Sequence, residues 1–182
     1  MTTSATASAS NAKSQRRVRV APKEAGALAS LRLGMAGCIE GKTERVRRTF
    51  EQSALIFVER GAGRLRVNDG EAAEVTAPAL IHIRPGPVYD YAPDNAGWDE
   101  RYLTFEGSRT AEWAEAGWLP EAPGPYPVAQ PLNAARIHER IMEWAEGRKR
   151  GDIDRAALEL ESLVFQLHAA RLSAAEAEPP EI

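Results

Sequence analysis

Tyr89 and Tyr91 stand two residues apart, as do Glu100 and Tyr102, within the stretch "RPGPVYDYAPDNAGWDERYLTFEG" from Arg84 to Gly107. In an extended strand alternate side chains share a face, so each pair presents its groups together. A carboxylate and phenol hydroxyls suit the polar edge of a small molecule, and an aromatic ring suits its apolar face. The chemistry implied is gripping rather than bond-breaking. The alternative is that the tyrosines fill a β core with their hydroxyls at its mouth, and for Tyr89 the two readings are balanced.

Other chemistries lack their residues. A metal site in a β barrel needs about three histidines and a carboxylate on neighbouring strands. The histidines are His82, His138 and His168. The last two fall on predicted helices, so no metal is expected. Cys38 has no strand histidine to activate it. No nucleophile elbow or phosphate-binding glycine loop occurs. No catalytic residues and no cofactor are therefore expected. The basic runs "ERVRRTF" and "GRKRGD" lack the interleaved aromatics of a single-strand binder and read as solvated surface.

The elements that must position these groups follow from the pattern. With 182 residues, net charge -3 and one cysteine, the chain is one domain without an internal disulfide. That cysteine usage fits a reducing compartment, and a cytoplasmic location is expected. No apolar run reaches membrane-spanning length and no leader is visible, so no membrane contact is expected. Residues 1–28 are Ser/Thr/Ala-rich at first, then basic, and are expected to form a mobile arm. From residue 29 to 107 short period-two runs alternate with turns. "ALIFVERGAGRLRV" reads as strand, glycine-rich hairpin turn, strand, and Asn68-Asp69-Gly70 as a tight turn. "ALIHI", "VYDYA" and "ERYLTF" read as three further strands. The segment 108–172 turns helical. Ser108 is the candidate N-cap of a short helix, and a Pro-rich connector follows it. Then comes a helical hairpin in which Ile137, Ile141 and Trp144 share a face. The second hairpin helix carries Leu160, Leu163, Val164 and Leu167 on one side and Leu158, Phe165 and Leu172 on nearly the opposite side. The latter stripe is expected to pair two copies of the chain, since a soluble monomer would expose it. Residues 173–182 read as a linker or tail. Trp98 is expected in the core, and Trp113 and Trp118 at a sealed barrel end.

"ALIFVERGAGRLRV", "IRPGPVYDYAP" and "GWDERYLTFEG", followed by a helical hairpin, resemble the ligand-binding and dimerisation domain of AraC-family transcription regulators. The resemblance covers roughly Leu31 to Leu172. It implies a mainly β fold, a cupin-like double-stranded β-helix or jelly-roll barrel, followed by a C-terminal α-helical hairpin that pairs a homodimer. It implies a small-molecule effector inside the barrel, with the arm able to close over it. In arabinose-type members a ligand-contacting tyrosine falls where Tyr91 stands. A polar residue and a stacking aromatic fall at Glu100 and Tyr102. An arginine precedes the "ALIFV" strand, where Arg45, Arg47 and Arg48 are available. The expected ligand set is Tyr91, Glu100, Tyr102, Tyr89 and Arg48, and the expected effector is small and polar, a sugar or a sugar derivative fitting that description. Family members contact DNA through a helix-turn-helix domain that this chain, stopping at Ile182, does not contain. It is then part of a longer regulator or a stand-alone sensor. Many relatives carry a histidine at the position of Tyr89, and its replacement weakens any metal reading. Two other readings are a stand-alone, metal-free cupin enzyme acting on a carbohydrate, and an interaction module without a ligand.

Overall fold

The computed structural model describes residues 13–21, 26–128, 133–147 and 149–177. Eight strands precede or interleave with three helices: β1 (Ser14–Arg19), β2 (Arg32–Lys42), β3 (Val46–Arg48), β4 (Ser53–Val67), β5 (Ala73–Thr76), β6 (Ala79–Ile83), β7 (Tyr89–Glu106), α1 (Arg109–Glu115), β8 (Tyr126–Pro127), α2 (Ala134–Gly147) and α3 (Arg150–Ala177). All pairings are antiparallel. The main path runs β1-β2-β7-β4-β6-β8, with β3 on β7 and β5 on β4. The mainly β fold with C-terminal helices is the one expected.

Two long strands make the barrel. The first half of β4 and the second half of β7 pair in one layer, from Ser53↔Phe105 to Gly61↔Trp98. Their other halves pair in a second layer, from Gly63↔Pro93 to Val67↔Tyr89. Ala54, Ile56 and Val58 of the first layer meet Leu65, Tyr89 and Tyr91 of the second in one buried cluster. That cluster is the barrel interior. Leu55, Phe57, Leu103 and Phe105 alternate with the inward residues and join the cluster under the helices. Residues 53–58 are thus buried on both faces, which is why they read as an unbroken apolar run.

Three expectations change here. The glycines at 61 and 63 do not turn a hairpin. β4 continues through them, with register shifts between Val58 and Arg60 and between Gly61 and Gly63. Such irregularities bend and twist a strand without ending it. A Cβ on Gly61 would sit 2.5 Å from the Gly97 carbonyl oxygen, and its φ of +95° suits glycine. Gly61→Ala is expected to lower stability by about 1–3 kcal/mol, read from the urea midpoint. An unchanged midpoint would show that the bend has room for a side chain. Likewise "VYDYA" and "ERYLTF" are two halves of one 18-residue strand, β7. Finally, residues 14–19 of the expected mobile arm are β1, paired along β2 from Ser14↔Glu40 to Arg19↔Met35. Arg16 also bonds Glu139 and Glu146 of α2, which fastens the strand to the helices. Residues 1–12 and 22–25 of that arm lie outside the described residues, as do 129–132 of the connector and 178–182 of the tail.

The helices follow their apolar periods. In α2, Ile137, His138, Ile141, Met142 and Ala145 are buried. In α3, Ile153, Ala156, Ala157, Leu160, Leu163, Val164 and Leu167 are buried against the sheet and α2. Asn133 Oδ1 accepts the Arg136 N–H at the start of α2. Ser108 precedes α1 without a side-chain cap bond. Trp98 is fully buried. Trp113 packs edge-on to Phe105 at 5.8 Å, and Trp118 packs on Phe165 of α3 at 5.0 Å. These two tryptophans therefore join the α1 segment to the sheet and to α3.

Candidate functional site

The deep layer of the barrel holds a buried ion pair. β2 loses register with β7 between Ile39 and Lys42, and Gly41 takes a φ of +62°. The irregularity turns Lys42 inward, opposite Trp98. Lys42 Nζ donates to Glu100 Oε1 at 2.7 Å, with both side chains at most 6% exposed. Trp98 Nε1 donates to Glu100 Oε2 at 2.8 Å. The same ammonium lies 4.9 Å from the Tyr91 ring centroid, and Tyr91 stacks on Trp98 at 6.2 Å. Burial, then the Glu100 carboxylate, pushes the Tyr91 phenol well above its ordinary value, so it stays protonated. Both oxygens of Glu100 are engaged, and the lysine and glutamate cancel in charge. This layer is a closed, buried polar cluster.

An open cavity of about 520 Å³ lies at the barrel mouth, and none of Lys42, Tyr91, Trp98 and Glu100 lines it. Met35, Phe50, Gln52 and Thr104 line it, with Arg19 and Arg48 among its charged residues. The walls are held from behind. Arg84 donates its backbone N–H to the Tyr89 hydroxyl at 2.9 Å. Phe50 meets the Tyr89 ring edge-on at 5.9 Å, and the Arg48 guanidinium lies 4.4 Å from the Phe50 centroid. Tyr102 lies across Gly37, where a Cβ would fall 2.5 Å from its hydroxyl. That hydroxyl reaches the sulfur of Met35 at 3.7 Å.

The five sequence-predicted residues thus occupy three depths. Arg48 lines the cavity, and half-buried Tyr102 borders it through Met35. Tyr91 and Glu100 belong to the buried ion-pair layer and Tyr89 packs behind Phe50 at 1% exposure, so none of these three lines the cavity. Sequence reasoning missed Lys42, whose place at a strand end reads as solvent until the bulge is known. It also missed Phe50, Gln52 and Thr104, which carry no motif.

Two histidines are buried outside the barrel interior. His82, on the face of β6 shared with Leu80, has its Nδ1 3.1 Å from the Pro120 carbonyl. His138 of α2 places Nε2 3.1 Å from the Tyr102 carbonyl. A carbonyl only accepts, so those nitrogens carry the hydrogens. The other nitrogens, His82 Nε2 and His138 Nδ1, are buried without a partner. Burial lowers each ring from 6.5 to about 4. Among the described residues no group of three or more His, Cys, Asp or Glu is placed to hold a metal. Cys38 is half-buried. No helix among the described residues is long and apolar enough to cross a membrane.

Against known proteins, residues 38–170 match the family model of the AraC-like ligand binding domain, well over half of the chain. No curated protein matches the chain significantly. Solved structures resemble it only in part. Oxalate decarboxylase from Bacillus subtilis aligns at 15% identity and a TM-score of 0.39, over 52% of this chain and 25% of that one. The Schizosaccharomyces pombe Cnp3 cupin domain aligns at 14% identity and a TM-score of 0.36, over 50% of this chain and 64% of that one.

Proposed function

The chain belongs to the AraC-like ligand-binding domain family, and from that premise we propose that it is the effector-sensing and dimerisation domain of an AraC-type bacterial transcription regulator working in the cytoplasm. A small polar effector, a sugar or sugar derivative being one such class, enters the barrel mouth and rests against Phe50, Met35 and Thr104. DNA contact belongs to a helix-turn-helix domain outside this chain. Effector occupancy acts by favouring one arrangement of barrel, β1 and helices over another, to the extent that its affinity for the two differs. The observation that carries the reading is the family match together with an open, preorganised cavity at the barrel mouth.

The assembly half of the proposal is supported by the second stripe of α3. Leu158, Phe165 and Leu172 are 55%, 49% and 53% exposed, while the first stripe is buried. Three large apolar side chains at seven-residue spacing on one helix face form a self-complementary strip for a two-fold contact. Phe165 is partly held by Trp118 of its own chain, so Leu158 and Leu172 are the cleaner probes. Light scattering at micromolar concentration is expected to give twice the 19.8 kDa monomer mass. Leu158→Glu combined with Leu172→Glu is expected to give monomers with an unchanged β-rich circular dichroism spectrum. A monomeric unmutated protein overturns the assembly reading.

A further inference from the structure

We infer that the effector carries a carboxylate, gripped by Arg48 and Arg19 at the barrel mouth. The inference rests on the reading of that cavity as the effector site. Five charged side chains line the cavity: Arg19, Arg32, Arg48, Glu51 and Glu106. Arg32 is paired with Glu106 at 3.3 Å. Among the described residues neither Arg19 nor Arg48 pairs with a carboxylate, so two guanidiniums face the single carboxylate of Glu51. The buried Lys42–Glu100 pair lies outside this lining and adds nothing to the balance, because the two charges neutralise each other. The cavity is therefore left with a surplus positive charge.

Geometry favours the same ligand class. The Arg48 guanidinium lies over the Phe50 ring, Phe50 is set by Tyr89, and Tyr89 is pinned by a backbone N–H. A guanidinium lying over a ring, with no carboxylate partner among the described residues, keeps donors for a ligand. Those donors match the two oxygens of a carboxylate in a bidentate pair. A neutral polyol would instead need free neutral donors and acceptors. Of the few neutral polar side chains in the lining, Thr104 already donates to Gln52 Oε1 at 3.0 Å, which leaves the Gln52 amide nitrogen and Thr49. Phe50, Met35 and Leu33 supply an apolar wall for the body of the ligand.

The carboxylate could sit on a sugar acid or on an aromatic acid, and matched probes separate these sources from each other and from neutral ligands. Galacturonate is compared with galactose, and benzoate with benzamide, by thermal shift and titration calorimetry on the whole chain. At least one acid is expected to bind at least about tenfold tighter than its neutral partner, and to lose that margin in Arg48→Gln. Arg48 is exposed, so the variant is expected to keep the parent melting temperature without ligand, which is checked first. Neutral partners that bind as well as the acids overturn the carboxylate inference and leave the cavity as effector site. Acid binding unchanged in both Arg48→Gln and Arg19→Gln overturns the assigned grip. No response to any of the four probes overturns the inference together with the site reading.

Discussion

Lys42→Met is expected to destabilise the protein by roughly 3–5 kcal/mol, because it strands a buried carboxylate. Glu100 is 3% exposed, and among the described residues its only cationic partner is the Lys42 ammonium at 2.7 Å. The Trp98 N–H would remain on Oε2, but a single neutral donor does not replace a cation in a dry layer. Glu100→Gln alone strands the lysine instead and is expected to cost a similar amount. The double variant Lys42→Met with Glu100→Gln removes both charges and keeps an acceptor for Trp98. It is expected to recover most of the loss, to within about 1–2 kcal/mol of the parent, since a buried pair adds little net stability once both charges are gone. Urea denaturation of the four proteins at neutral pH measures the cycle. Strictly additive losses, or a Lys42→Met variant as stable as the parent, would show that water reaches the pair.

The second large effect is on pH. His82 and His138 are both held neutral, each lowered from 6.5 to about 4 by burial. His82 faces Arg84 and Arg171, and His138 faces Arg101 and Glu139. In the unfolded chain both rings take up a proton below their ordinary value, while the folded chain resists until about pH 4. The unfolded state therefore binds more protons across that window, and stability falls as pH is lowered through it. The stabilisation is fully present above 6.5 and is lost progressively down to about 4. For each ring the drop corresponds to roughly 3 kcal/mol. Urea midpoints taken between neutral pH and the acid limit are expected to trace this decline. The double variant His82→Leu with His138→Leu is expected to flatten it, even if its stability at neutral pH is lower. A flat profile in the parent, or an unchanged slope in the double variant, would place the acid sensitivity elsewhere.

Much of the architecture is written in local periodicity. The two stripes of α3 are spaced in the sequence, and the structure buries Leu160, Leu163, Val164 and Leu167 while exposing Leu158, Phe165 and Leu172. Asn68-Asp69-Gly70 turns the chain between β4 and β5, with Asn68 at a φ of +52°. Tyr89 with Tyr91 share a face, as their spacing required. These features depend on neighbours a few residues away, so side-chain direction and turn chemistry decide them.

The site was settled by distant partners. Period two says which residues share a face, but not which face meets which, and a single bulge reverses the answer beyond it. Lys42 and Glu100 are 58 positions apart, and only the slipped register at Gly41 sets the ammonium against the carboxylate. Gly61 reads as a turn residue because glycine permits both a turn and a bend. The carbonyl of Gly97, brought close by β7, makes it a bend. Local spacing leaves Arg48 as one of several solvated arginines; the family resemblance singled it out, and Phe50 backed by Tyr89 sets its place. Composition and spacing determined that the chain would build a mainly β sandwich or barrel with a two-striped helix, and the family resemblance chose the barrel. Long-range pairing decided where charge is buried and where it stays open, because the cost of an unpaired charge depends on what the rest of the chain brings beside it.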